Sequence, residues 1–186
     1  MTEDEVRDFT MRALFTHLGK PDSWRGEGKT AEFEFDRPGL RAQVAAERKL
    51  DYVLPGGKTL AHCSDVLISA EAGAGETRYI SIEIKHTSAV TDQFKARSFD
   101  MRHLREQFGE RIFGIMFFAR AGQGISLEQA RAISYAFDAF VGTDLLKTEP
   151  GHWWADLIEA VDRGCTRLAN IGLQPTPPDG ELGRRG

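Results

Sequence analysis

The chain has 186 residues, 41% of them hydrophobic and 28% charged, with a formal net charge of −4, a size and balance that suit one globular core and exclude a disordered or fibrous chain. No apolar run approaches the length that spans a bilayer, so no membrane partner is expected, and any polyanion would have to be held by a local basic patch. The acidic start MTEDEVRDF lacks the basic and apolar segments of a signal peptide, which points to a cytoplasmic location.

Val6, Phe9, Ala13 and Leu14 recur at helical spacing, with Thr2 as cap and Gly19 as stop, and predict a helix over Glu3 to Leu18. GKPDSWRGEGK reads as a loop and the alternating AEFEF as a short strand. RPGLRAQVAAERKL is rich in helix formers and predicts a second helix near Leu40 to Arg48. Three strands are expected next. LDYVLPGGK (Leu50 to Lys58) ends in a Pro-Gly-Gly turn, AHCSDVLIS runs from Ala61 to Ser69, and RYISIEIKH follows the glycines of EAGAGET and ends at His86. Joined by glycine turns, they imply an antiparallel meander.

TDQFKARSFDMRHLREQFG predicts a helix capped by Thr91 or Asp92, with Phe94, Met101, Leu104 and Phe108 as its buried stripe and Gly109 as its stop. RIFGIMFFA is nearly continuous apolar sequence, as expected of a strand covered on both faces. Further helices are expected over Ser126 to Phe140 and from Pro150 to about Ala169, the second carrying Trp153, Trp154, Leu157 and Val161. Cys63 and Cys165 form no CxxC pair and read as small apolar core residues. The expected organisation is one α/β (α+β) domain over residues 1–172, a mixed sheet flanked by helices, and a flexible Pro- and Gly-rich tail over residues 173–186.

In YISIEIKH, Ile80, Ile82 and Ile84 alternate with Ser81, Glu83 and Lys85, so an acid and a base share the polar face two residues apart. A glycine hairpin sets this strand beside the one carrying Asp65, and cross-strand neighbours approach within about 5 Å. Two carboxylates that close repel unless a cation lies between them, and hard oxygen ligands of this kind suit Mg²⁺. Asp51, on the preceding strand, competes with Asp65 as the second carboxylate, and Glu5 and Glu47 are candidates for a further one. HCSD does not read as a hydrolase motif, because adjacent strand residues point to opposite faces.

Asp65 followed by Glu83-Ile84-Lys85, on the second and third strands of an α-β-β-β-α-β order, resembles the PD-(D/E)xK nuclease superfamily over roughly Leu40 to Ala119. Ser64 stands where that motif names proline. The resemblance implies a restriction endonuclease-like fold and a Mg²⁺-dependent phosphodiester hydrolase, with Mn²⁺ able to substitute and DNA as the expected substrate. It assigns Asp65, Glu83 and the Ile84 carbonyl to the metal, and Lys85 to the attacking water as base or orienting group. Gln93 and Lys95, one turn into the next helix, Arg97 and Arg102 on its polar face, and His86 at the strand end are the candidate phosphate contacts. One site per chain and two strands to cut would favour a homodimer. The alternative is a non-catalytic domain of this fold that binds a protein or nucleic-acid partner.

Overall fold

The computed structural model describes residues 2–72, 75–86, 90–122, 124–147 and 153–171. In chain order these form helix α1 (Glu3–Leu18), strands β1 (Glu32–Arg37), β2 (Leu40–Val53), β3 (Thr59–Ala72) and β4 (Glu76–His86), helix α2 (Thr91–Phe108), strand β5 (Ile112–Arg120), helix α3 (Leu127–Ile133), strand β6 (Ala139–Asp144) and helix α4 (Trp153–Ala169). The strands lie side by side in sequence order, antiparallel from β1 to β4 and parallel from β4 to β6. The protein is therefore of mixed α/β class, with a six-stranded mixed sheet between helices.

Local chemistry explains the boundaries of α1. The Thr2 hydroxyl accepts the Glu5 N–H at 3.2 Å and the Glu5 carboxylate accepts the Thr2 N–H at 2.6 Å, a reciprocal capping box. At the other end the Gly19 N–H closes on the Phe15 carbonyl.

Two expected helices are corrected. Leu40 to Arg48 is the first part of β2, although its residues favour helix. Leu40, Ala42, Val44 and Ala46 are buried while Arg41 and Gln43 are exposed, a period of two. Pro38 and Gly39 join Arg37 to Leu40 in a two-residue turn, with Gly39 at φ 75°, so β2 is drawn into pairing with β1 on one side and β3 on the other. That pairing overrides a propensity of tenths of a kcal/mol per residue. Ser126 to Phe140 likewise divides. Ser126 caps α3, Ser134 ends it by bonding back to Ala130, and the Asp138 N–H then pairs with the Gly114 carbonyl to begin β6. The last helix begins at Trp153 in the described residues; Pro150 and the tail over 173–186 lie outside them.

Helices α1 and α4 cover one face of the sheet, where Val6, Met11, Leu14, Leu157, Val161 and Cys165 meet Ile80, Ile82, Ile84, Ile115 and Phe117. Helices α2 and α3 cover the other, where Phe94, Met101, Leu104 and Ala130 meet Met116 and Phe118. Strand β5 is thus buried on both faces, as its apolar run predicts. Each such Ile, Leu, Met or Phe contributes about 1.5–3 kcal/mol by burial. Arg78 of β4 fastens α4 from below: its guanidinium donates to the carbonyls of Leu168 and Ile171.

The alternation along β2 changes phase partway. Leu40 to Ala46 place their even-numbered residues under α1 and α4, whereas Leu50 and Tyr52, of the same parity, pack under α2. Glu47, with φ 45°, stands at the change, between the pairs Ala46↔Val66 and Arg48↔Ser64. Strand β3 turns with it. Val66, Ile68 and Ala70 face α1 and α4, while His62 and Ser64 meet Glu83 and Ser81 on the opposite face. A single residue in the left-handed region thus re-aims the strand pair, as bulges do beside functional sites.

Gly109, which ends α2, has φ 57° and ψ −127°, and a side chain there would meet nothing within 4 Å. The cost of Gly109→Ala is then backbone strain alone, about 1–3 kcal/mol. Urea denaturation should show a lower midpoint, shifted by that loss divided by the slope, with the slope unchanged. A variant as stable as the parent would refute this account of the α2 terminus.

Candidate active site

The ladder between β3 and β4 runs from Ala72↔Glu76 to Val66↔Ile82 and stops there. Just beyond it, side chains replace backbone partners. Asp65 Oδ2 accepts the Ile84 N–H at 2.7 Å, and Lys85 Nζ donates to the Ile84 carbonyl at 2.8 Å and to Glu3 Oε1 of α1 at 3.1 Å. Asp65 and Lys85 therefore bracket the main chain of Ile84. The Lys85 side chain is 8% exposed, so its amine is held in place by these two acceptors.

Glu83, one residue before Ile84, has no solvent exposure. Its Oε1 lies 2.7 Å from His62 Nε2 and accepts a longer bond from the Ser81 hydroxyl at 3.4 Å. Its Oε2 has no hydrogen bond but lies 3.3 Å from Arg97 Nε, an ion pair reaching in from α2. His62 is anchored in turn: its Nδ1 is 3.2 Å from Asp100 Oδ2, and Tyr52 donates its hydroxyl to Asp100 Oδ1 at 2.9 Å. The site thus joins β2, β3, β4, α1 and α2.

The electrostatics follow from burial and these partners. Burial and then repulsion from Glu83 push the Asp65 carboxyl up to about 7, with Lys85 and the Ile84 amide offsetting part of the effect. Burial alone would lower His62, but its hydrogen bonds to Asp100 and Glu83 outweigh this and raise it to about 9. Burial likewise disfavours the Arg97 cation, yet Glu83, Asp65 and Asp100 raise its pKa. Burial alone would raise Asp100, but hydrogen bonds from His62 and Tyr52 hold it below the usual carboxylate range.

The sequence-predicted candidates separate into those at this centre and those away from it. Asp65, Glu83, Lys85 and the Ile84 main chain are together, with Arg97 beside them. Gln93 is exposed, Lys95 lies 3.8 Å from Asp92, and Arg102 lies 4.0 Å from Glu106 and over the Phe99 ring. His86 is half-buried, and burial lowers its pKa. Asp51 is exposed and pairs in register with Ala61. Glu5 serves the α1 cap, and Glu47 is on a strand, not a helix, held by Arg7 at 2.6 Å and Lys29 at 3.0 Å. Sequence reasoning passed over Glu3, His62, Asp100 and Tyr52. Simple alternation gives no signal for His62, because it sets His62 and Ser64 on the face of Val66, whereas the structure turns them to the opposite one.

Among the described residues no cluster of three or more His, Cys, Asp or Glu side chains is arranged to hold a metal ion. A cleft of about 570 Å³ lies elsewhere, against α1, and is lined by Met11, Arg12, Phe15, Trp24, Glu27 and Ala31 among others. It contains none of the residues above.

The raised His62 value carries a pH signature. The folded protein keeps a proton on His62 that the unfolded chain releases at its ordinary 6.5, so this stability is complete below about pH 6.5 and is lost as pH rises to about 9. The shift from 6.5 to about 9 corresponds to roughly 3 kcal/mol. Asp65 acts in the same direction between about 3.8 and 7. Urea midpoints measured in EDTA should therefore fall from pH 6.5 to 9 in the parent, and the fall should flatten in His62→Gln. An equal slope in both proteins would contradict the assignment.

No protein-family model matches this chain, no curated protein matches it, and no solved structure matches it.

Proposed function

We propose that this protein is a Mg²⁺-dependent phosphodiester hydrolase, an endonuclease acting on DNA. The observation that carries the reading is the gathering of Asp65, Glu83 and Lys85 about the Ile84 main chain, where pairing between β3 and β4 stops. This is the residue set that the resemblance to PD-(D/E)xK nucleases assigns to the reaction.

The donor set fits Mg²⁺. That ion commonly takes one or two protein carboxylates and fills its shell with water and phosphate, so a three-ligand cluster is not required. Glu83 Oε2 is a buried oxygen without a hydrogen bond, and Asp65 is pushed up by burial and by Glu83. Both features express negative charge that a cation would offset. Asp65, Glu83 and the Ile84 carbonyl would hold the ion, with Mn²⁺ able to substitute, and it would supply charge stabilisation at the scissile phosphate.

The remaining work falls to this chain's own groups. Lys85, fixed between the Ile84 carbonyl and Glu3, holds its amine at the site, where it orients the attacking water. Arg97 adds positive charge beside the carboxylates. The exposed Gln93, Lys95 and Arg102 of α2 are contacts for the phosphate backbone, which needs basic and polar side chains but no particular base sequence. Cutting both strands would call for two sites, which a homodimer would provide.

One observation favours a second reading, a non-catalytic domain of this architecture that binds a protein or nucleic-acid partner. Glu83 is already matched by His62 and Arg97, as in a site whose charges have been closed off by protein groups.

Asp65→Asn separates the two. Asparagine can still accept the Ile84 N–H but removes a carboxylate held at about 7, so metal-free stability at pH 8 should rise by about 1–3 kcal/mol. Cleavage of supercoiled plasmid with Mg²⁺ or Mn²⁺ should drop by more than the roughly 10–100-fold typical of an outer-shell partner, and EDTA should abolish it in the parent. Mg²⁺ should raise the melting temperature of the parent but not of the variant. A parent that cuts neither plasmid, linear duplex, single strands nor branched DNA with either metal would end the nuclease reading in favour of the binding domain.

A further inference from the structure

The basic side chains of α2 differ in what they reach. Lys95 and Arg102 pair with Asp92 and Glu106 at the surface, while Arg97 enters the buried end of the site. Its Nε lies 3.3 Å from Glu83 Oε2 and its Nη1 lies 3.7 Å from Asp100 Oδ2.

The two oxygens of Glu83 are held unequally. Oε1 is fixed at 2.7 Å by His62, which Asp100 anchors from behind. Oε2 has charge opposite it but no hydrogen bond. A charge-assisted hydrogen bond is about twice as strong as a neutral one and carries geometry with it, whereas a bare ion pair does not. Arg97 also keeps 30% of its side chain in solvent, a path outward that His62, with none, lacks. Its guanidinium feels Asp65 and Glu3 as well as Glu83 and Asp100. Its positive charge therefore lies among the carboxylates that would otherwise repel one another.

We infer that Arg97 holds the place of the divalent cation in the metal-free site, and that an ion arriving between Asp65 and Glu83 displaces it from Glu83 Oε2. His62 stays, so Glu83 keeps its orientation through the exchange. The released guanidinium turns toward solvent, where a nucleic-acid phosphate meets it. This inference rests on the nuclease reading and adds how the site is governed: metal entry competes with a resident protein cation.

The test is Mn²⁺ binding by titration calorimetry to the parent, Arg97→Gln and Arg97→Lys. Removing a unit charge a few ångströms from the ligands should tighten Mn²⁺ binding in Arg97→Gln by about tenfold or more. Arg97→Lys, which keeps the charge, should stay near the parent. Affinity in Arg97→Gln that is equal to or weaker than the parent's overturns the inference. Should Arg97→Gln fail to fold by circular dichroism, the parent alone decides through its Arg97 Nε–H resonance, assigned by its loss in Arg97→Lys. Saturating Mg²⁺ should move that resonance, and a resonance that stays in place overturns the inference.

The two readings fail separately. A parent that cuts DNA while Arg97→Gln binds Mn²⁺ no more tightly removes only the role of Arg97. A parent that never cuts while Arg97→Gln binds Mn²⁺ more tightly removes the nuclease and leaves a cation site gated by arginine. No Mn²⁺ binding to parent or variant removes both.

Discussion

The constraint on which the rest of this structure depends is the burial of Glu83. Its side chain has no solvent exposure, and an isolated charge in such a place costs several kcal/mol even after relaxation. The fold must bring cations to it, and it does so from two directions, with His62 at 2.7 Å from β3 and Arg97 at 3.3 Å from α2. His62 can reach Glu83 only if β3 presents it on the α2 side, out of phase with Val66, Ile68 and Ala70. That requirement is met by the change of phase at Glu47, whose left-handed backbone turns β2 and β3 together. Tyr52 then also faces α2 and bonds Asp100, so the same turn supplies the anchor behind His62.

The network limits how α2 can sit. Arg97 and Asp100 occupy one side of the helix, three residues apart, and both address the Glu83–His62 pair. A rotation of α2 by one residue would separate them and would also lift Phe94, Met101 and Leu104 out of the core they fill. Helix α1 is tied from the other side through Glu3 and Lys85. Buried ion pairs of this kind are weak evidence for stability, because burying the charges costs about as much as their attraction returns. Here they are stronger evidence of registry: each partner comes from a different element, and breaking one pair leaves a buried charge unmatched.

Much of the frame was legible from residue spacing. The bounds of α1 follow from Thr2 and Gly19, the end of α2 from Gly109, and β4 and β5 from alternation and a continuous apolar run. Composition favours a helix over Leu40 to Arg48, through Ala, Glu, Arg and Gln, whereas Pro38-Gly39 and the alternation of Leu40, Ala42, Val44 and Ala46 describe the hairpin that forms. The phase change was not legible. Glu47 takes a backbone conformation that sequence reasoning reserves for glycine or asparagine. With it went the positions of His62 and Tyr52. Glu3 and Glu5 show a finer limit. Two residues apart on a helix is about 200° of rotation, so whether a first-turn carboxylate caps the helix or meets Lys85 depends on how α1 lies on the sheet.

Asp65 is a costlier acceptor than the fold asks for. The main chain of Ile84 needs an acceptor where the β3–β4 ladder stops, because a buried N–H left unpaired costs about 1–3 kcal/mol. A neutral amide or hydroxyl oxygen would meet that need. The carboxyl instead stands where burial and Glu83 raise it to about 7, and Lys85 and the Ile84 amide offset only part of the cost. Glu83 differs, since the scaffold matches its charge with His62 and Arg97. Of the two acids, then, Glu83 is paired directly by His62 and Arg97, while at Asp65 the protein's own groups offset only part of the cost. Perturbed carboxyls of this kind occur at functional sites and in structural ion-pair networks alike, and at Asp65 the backbone bond to Ile84 accounts for the acceptor but not for its charge.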